Sequence, residues 1–320
     1  MTTNSVNKST PYTPEEIRDM ILGVDALVEL DDDEKTKVPA INLDNAATTP
    51  AFKEVAEEVR EKLLYYGSIG RGVGQKSRIT TDVYVEGRDI IKKFVGLEGD
   101  IFENKNDEKY TVLHVNSTTD GMNKLASALI KSHRDMVLTT RMEHHANDLP
   151  WRERARTVYA DVDEKGRLKI DDFERILGEY CAIGNGGGLI PSTCKIKYVT
   201  VTAASNVTGY VNDVHEIARI AHEYGAKIIV DGAQIVAHRE FNMLGKTPEE
   251  NIDFFVFSAH KMYSPFGGGV VIGLTDILNE HIPEFYGGGM VSRVADADAD
   301  FSEVPDLYEA GSPNYPGVVG

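Results

Sequence analysis

Between residues 111 and 273 short apolar runs alternate with stretches in which apolar residues recur every three or four positions. The runs 111–115, 136–140, 156–160, 196–202, 227–231, 253–257 and 269–273 have the length of buried strands. Residues 120–131, 171–180 and 213–224, which lie between them, have the period of helices. The alternation predicts an α/β fold, a mainly parallel seven-stranded sheet with helices on both faces. Ligands of such sheets bind beyond the carboxyl ends of the strands, so the residues just after each run are where chemistry is expected. Upstream, Thr13-Pro14-Glu15-Glu16 has the form of a capping box with proline at the first helical position. Ile17, Met20, Ile21, Val24, Leu27 and Val28 then recur at helical spacing, which predicts a helix with one face on the body of the protein. The acidic residues 31–34 end it and read as a solvated linker.

The apolar run 253–257 leads into Ser258-Ala259-His260-Lys261, and the run ending at Val230 leads into Asp231-Gly232-Ala233-Gln234. Taken singly, these are an ordinary helix-start acid and a solvated lysine. Together, a lysine and an acid at two strand ends are what pyridoxal 5'-phosphate (PLP) requires: an amine for a Schiff base, and a carboxylate that keeps the pyridine nitrogen protonated. A phosphate needs a helix N-terminus and hydroxyl donors. Thr118-Thr119-Asp120-Gly121, between the first strand and its helix, supplies both, although the same residue types make a simple N-cap.

Six segments occur in an order that resembles class V aminotransferase-fold proteins, and cysteine desulfurases and selenocysteine lyases most of all. They are Asn42-Leu43-Asp44-Asn45-Ala46-Ala47-Thr48-Thr49, Met142-Glu143-His144-His145-Ala146-Asn147, Ser205-Asn206-Val207-Thr208-Gly209, residues 230–234, residues 257–261 and Gly311-Ser312-Pro313-Asn314. The resemblance runs from Ile41 to Gly320 and implies the type I PLP-dependent transferase fold. It makes residues 41–320 a PLP-binding large domain and residues 1–40 an N-terminal helix and acidic linker. It also implies roles: Lys261, His144 and Asp231 catalytic, with His144 stacked on the ring and passing protons. Thr118, Thr119, Asn206, Gln234, Ser258 and His260 join them around the cofactor. Asn45, Ala46 and Arg71 are the substrate candidates, and Ser312 reaches the phosphate of a neighbouring subunit, which implies a homodimer with a cofactor site near the interface. The reaction implied is that of a cysteine desulfurase or selenocysteine lyase acting on a small amino acid through an external aldimine. The alternatives are a class V aminotransferase or epimerase, and a non-catalytic PLP-fold subunit or truncated fragment.

Composition narrows the surroundings. A chain of 320 residues, 41% hydrophobic, can bury a sizeable core, and a formal net charge of −17 argues against nucleic acid or an anionic membrane as partner. No stretch is apolar enough to span a bilayer, and residues 1–11 are too polar for a signal peptide, so a cytoplasmic enzyme is expected. Cys181 and Cys194 flank Gly184-Asn185-Gly186-Gly187-Gly188, which reads as a surface loop because Leu189 breaks the dinucleotide pattern. Both cysteines read as ordinary structural residues in a reduced compartment. His144 and His145, adjacent on a loop without a third ligand in register, give no metal site. The persulfide-forming cysteine and the carboxylate-binding arginine of the desulfurases resembled here lie in a C-terminal segment that has no counterpart before Gly320. The small domain is therefore expected to be largely absent, and the chain as given to bind PLP but turn over cysteine poorly.

Overall fold

The computed structural model describes residues 11–70, 72–97, 109–181, 195–281 and 283–320. Helix α1 (Pro14–Met20) starts at Thr13, whose hydroxyl accepts the Glu16 N–H while Glu16 reaches back to the Thr13 N–H. The helix is shorter than its apolar spacing suggests. Gly23 takes φ +72°, a left-handed turn that costs glycine little, and the chain reverses there. Leu27 and Val28 fall in β1 (Leu27–Glu29), which pairs antiparallel with β2 (Lys37–Pro39). Both side chains are exposed and α1 fully buries none of its residues, so the expected packing face shrinks to the half-buried Met20, Ile21 and Val24, with Ile21 bridging Phe52. Residues 31–34 belong to the connection of this hairpin, where Asp32 accepts the Thr36 N–H, and are not a linker.

Two helices, α2 (Lys53–Leu63) and α3 (Gln75–Phe94), lead into the sheet region. Its elements follow the expected alternation: β3 (Tyr110–Val115), α4 (Thr118–Leu129), β4 (Met136–Thr140), α5 (Leu149–Arg154), β5 (Arg156–Ala160), α6 (Ile170–Tyr180), β6 (Ile196–Thr202), α7 (Val214–Glu223), β7 (Lys227–Asp231), β8 (Phe254–Ser258) and β9 (Gly269–Leu274). Seven strands form one sheet in the order β3-β9-β8-β7-β6-β4-β5. From β8 to β5 all neighbours are parallel, while β9 runs antiparallel to both β8 and β3. The sheet is thus mainly parallel, as expected, with one reversed strand. Beyond it come α8 (Thr275–Asn279), the hairpin β10 (Val291–Val294) and β11 (Ala299–Phe301), and α9 (Tyr315–Val319).

Alternate residues of each central strand enter different cores. Val230 and Phe255 pack with α6 and α7 on one face, and Ile229, Phe254 and Val256 pack with α4 and Trp151 on the other. Helix α4 sits unusually close to its face. A Cβ at Gly121 would lie 2.7 Å from both Val256 Cγ1 and Val271 Cγ2, so only glycine permits this approach. Gly121→Ala should therefore destabilise the fold by about 1–3 kcal/mol through overpacking, measured as a lower urea midpoint at an unchanged slope. PLP affinity should fall with it, because the start of this helix lines the cavity described next.

Cys181 is disulfide-bonded, which corrects the reading of two ordinary thiols in a reduced setting. Cys194, the other cysteine of the sequence, and the glycine-rich segment 184–188 lie outside the described residues. No helix among the described residues is long and apolar enough to cross a membrane.

Candidate active site

A cavity of about 400 Å³ opens where the carboxyl ends of β6, β7 and β8 meet the start of α4. Its floor carries the two residues that the strand ends predicted. Asp231, the last residue of β7, is 3% exposed, and its Oδ1 accepts the Ala233 N–H at 2.9 Å. No described donor takes Oδ2. Burial pushes this carboxyl up to about 6, against the opposing pull of the Ala233 amide and the Lys261 charge. Lys261 ends the single turn after β8 and is half-buried. Burial lowers its pKa, and Asp231 opposes that shift.

The start of α4 forms one wall. Ser117 is the N-cap, its hydroxyl accepting the Asp120 N–H, so Thr118 and Thr119 are the first two helical residues and not a preceding loop. The two threonines differ. The Thr118 N–H donates to Ser258 Oγ at 2.6 Å and the two hydroxyls are 2.7 Å apart, so Thr118 clasps the end of β8 and has no amide left for a ligand. No acceptor among the described residues takes the N–H or hydroxyl of Thr119, which leaves two donors at the positive end of a twelve-residue helix. His260 lines the same cavity, with its pKa lowered by burial and by Lys261.

His144 follows β4 and caps the turn His145–Asn147, its Nδ1 accepting the Ala146 N–H at 3.1 Å. That hydrogen bond assigns the proton to Nε2. Burial, then Lys261, then His145 all lower the pKa, so the ring is neutral near pH 7. The opposite wall is a strap. Thr49 N–H and the hydroxyls of Thr48 and Thr49 donate to the His260 carbonyl, and Gln234 Nε2 donates to the Ala46 carbonyl at 2.9 Å. Ala46 thereby reaches the cavity, as does Asn206. Asn45 does not line it, and its side chain instead accepts from Asn42. Ser312 lines a separate cavity of about 560 Å³ with Tyr84, Arg88 and Glu309. Arg71 lies outside the described residues.

Several contributors were not singled out in the sequence: Asp44, Ala47, Ser117, Thr202, Ala204 and Ala233 all line the cavity. The small residues carry no chemical signal, since their value is the space they leave. Glu143 is of another kind. It accepts from Thr140 and Asn147, and burial of its carboxyl pushes it up to about 8, with Asp231 adding to the shift. A glutamate three residues after a strand end and just before His144 was the available clue.

The model of the family Aminotransferase class-V matches residues 41–320. The chain belongs to this family. A probable cysteine desulfurase of Halalkalibacterium halodurans is 32% identical over 298 residues, 90% of this chain and 66% of that protein. A cysteine desulfurase of Haloferax volcanii is 33% identical over 291 residues, 88% of this chain and 62% of its own length. The chain thus spans slightly less than two thirds of these curated relatives. Among solved structures, the apo cysteine desulfurase of Thermococcus onnurineus NA1 superposes with a TM-score of 0.77 at 27% identity, covering 97% of this chain and 69% of that one. The cysteine desulfurase CsdA of Escherichia coli superposes with a TM-score of 0.72 at 25% identity, covering 97% and 70%. The α/β architecture expected from the sequence is therefore the class V fold.

Proposed function

We propose that this class V chain binds PLP and acts on cysteine or selenocysteine as a desulfurase or lyase. The observation that carries the reading is the placement of Lys261, Asp231 and the free donors of Thr119 around one cavity of about 400 Å³. The cavity fits the cofactor in kind at each end: an unpaired carboxylate oxygen for a pyridine nitrogen, a half-buried amine for an aldehyde, and an open helix terminus for a phosphate.

When bound, PLP supplies an aldehyde for a Schiff base and a ring that accepts an electron pair from the substrate α-carbon. The protein supplies the rest. Lys261 is the amine that would hold the cofactor and would serve as the base for the α-proton; its lowered pKa raises the neutral fraction that this role needs. Asp231 keeps a proton on the ring nitrogen. Thr119 and His260 hold the phosphate, and Ser258, already shared with Thr118, completes that end. His144 would border the ring with a neutral imidazole that carries its proton on Nε2. Asn206 and Gln234 set the polarity around the phenolic oxygen, and Ala46 borders the substrate space. Ser312, away from this cavity on its own chain, serves the phosphate of a second copy, so the working form is a homodimer. Residues 11–40, with α1 and the β1–β2 hairpin, are an appendage to the catalytic domain.

The reading is tested by loading the purified protein with PLP and challenging it with cysteine, selenocysteine and alanine while following the visible band and the products. Alanine together with sulfide or selenide supports it. A keto acid product would move the protein to the transaminases, and failure to bind PLP would overturn the proposal altogether.

A further inference from the structure

The turn that carries Lys261 is tied to the strap by one side-chain hydroxyl in particular. Thr49 is 4% exposed, and its Oγ1 accepts the Tyr263 N–H at 2.7 Å while donating to the His260 carbonyl at 3.1 Å. A threonine hydroxyl has one proton and two lone pairs, so both bonds exist together. They span Lys261 from the residue before it to the second residue after it. The two bonds differ in weight. The His260 carbonyl also receives the Thr49 N–H at 2.9 Å and the Thr48 hydroxyl at 3.1 Å, so it keeps partners when the Thr49 hydroxyl is removed. Among the described residues, no acceptor other than Thr49 Oγ1 takes the Tyr263 N–H.

Tyr263 depends on that acceptor. Its φ is +65°, in the left-handed region, where a residue with a side chain is strained and stays only if its neighbours hold it. In this conformation the Met262 and Ser264 amides share the Ala259 carbonyl, at 2.8 and 3.2 Å, which closes the turn around Lys261. Phe52, on the same strap, holds the other side of the residue. Its N–H donates to the Tyr263 carbonyl at 3.1 Å, and its ring stacks on the tyrosine with centroids 4.0 Å apart. We propose that Thr49 is a positioning residue, whose hydroxyl staples His260 to Tyr263 across Lys261 and so sets the direction in which the amine enters the cavity. Thr49 does not line the cavity itself, so it acts through the turn and not on a ligand.

This inference rests on the reading of Lys261 as the cofactor amine, so its first tests need no PLP. In the cofactor-free protein the Tyr263 amide should exchange its hydrogen about 100-fold or more slowly than an unstructured amide, and exchange at the unprotected rate would overturn the proposal without any variant. Thr49→Val, which keeps the shape and removes the hydroxyl, should lose that protection. Reductive labelling with pyridoxal and borohydride at pH 7 then reads the amine itself, without help from a phosphate. Lys261 should label ahead of the other lysines in the parent protein, and about 10-fold less in Thr49→Val. Thr49→Ser, which keeps the hydroxyl and drops the methyl, should restore both results. A general loosening of the fold would raise labelling at many lysines together. Undiminished labelling of Lys261 in Thr49→Val, or a serine variant as impaired as the valine one, would overturn the inference. With PLP loaded, α-proton exchange by Thr49→Val should fall about 10- to 100-fold with little change in KM, and an unchanged rate would also overturn it. If the parent protein binds no PLP, the functional proposal fails while hydrogen exchange and labelling still decide whether Thr49 sets the lysine.

Discussion

Borohydride reduction of the PLP-loaded protein should leave the pyridoxyl group on Lys261 and on no other lysine, and Lys261→Ala should lower turnover by about 1,000- to 10,000-fold. The expectation follows from position. Lys261 lies on the same cavity as Asp231, and its half-buried amine loses a proton more easily than a solvated lysine does. Removing it takes away both the amine that anchors the cofactor and the base for the α-proton. The fold should survive, because the strap that crosses this turn bonds to the backbone carbonyl of His260 and not to the lysine side chain. Peptide mapping of the reduced protein is the direct check, and a label on a different lysine would refute the assignment.

Asp231→Asn should bind PLP but lose about 100- to 1,000-fold in α-proton exchange. The amide is the same shape and its oxygen can still accept the Ala233 N–H, so the end of β7 should hold its form. What it lacks is the charge that keeps the ring nitrogen protonated. The carboxyl also gives a pH signature. Burial pushes it up to about 6, so in the parent protein PLP affinity should drop as the pH falls through that value and the anion is neutralised. In Asp231→Asn the same titration should be flat. Exchange of the substrate α-proton into deuterated solvent measures the first effect, and unchanged exchange in the variant would remove Asp231 from the mechanism.

Much of this arrangement was legible in the chain because parallel sheets place chemistry at predictable points. Lys261 and Asp231 could be chosen from their positions after apolar runs, and the alternation of elements from residue 110 onward was visible in its period. What stayed hidden depends on long-range contacts. Thr118 looked like a phosphate ligand equal to Thr119, but Ser258, 140 residues away, consumes its amide. Asn45 looked like a substrate contact, but its side chain turns to Asn42. The apolar spacing of residues 17–28 carried the signature of a helix, yet Gly23 reverses the chain and the last of those residues form a strand. Glu143 lies within the segment Met142–Asn147, yet nothing local says that a glutamate there will be bonded by both Asn147 and Thr140.

The strand order bears on when the site can exist during synthesis. β3 is the first strand of the large sheet to leave the ribosome, but its sheet neighbour is β9, the last, and β9 alone joins it to β8. Until residues 269–274 emerge, β3 has no strand to pair with, although the helix start that follows it can already bond to Ser258 of β8. Five parallel strands could assemble earlier and already bring Asp231 beside Lys261. Thr119 would still be incompletely held, because α4 packs on Val271 of the late strand as well as on Val256 of β8. A nascent chain should therefore acquire the amine and the acid before it acquires a grip on phosphate. Cofactor capture would then act as a checkpoint that only a nearly complete sheet can pass.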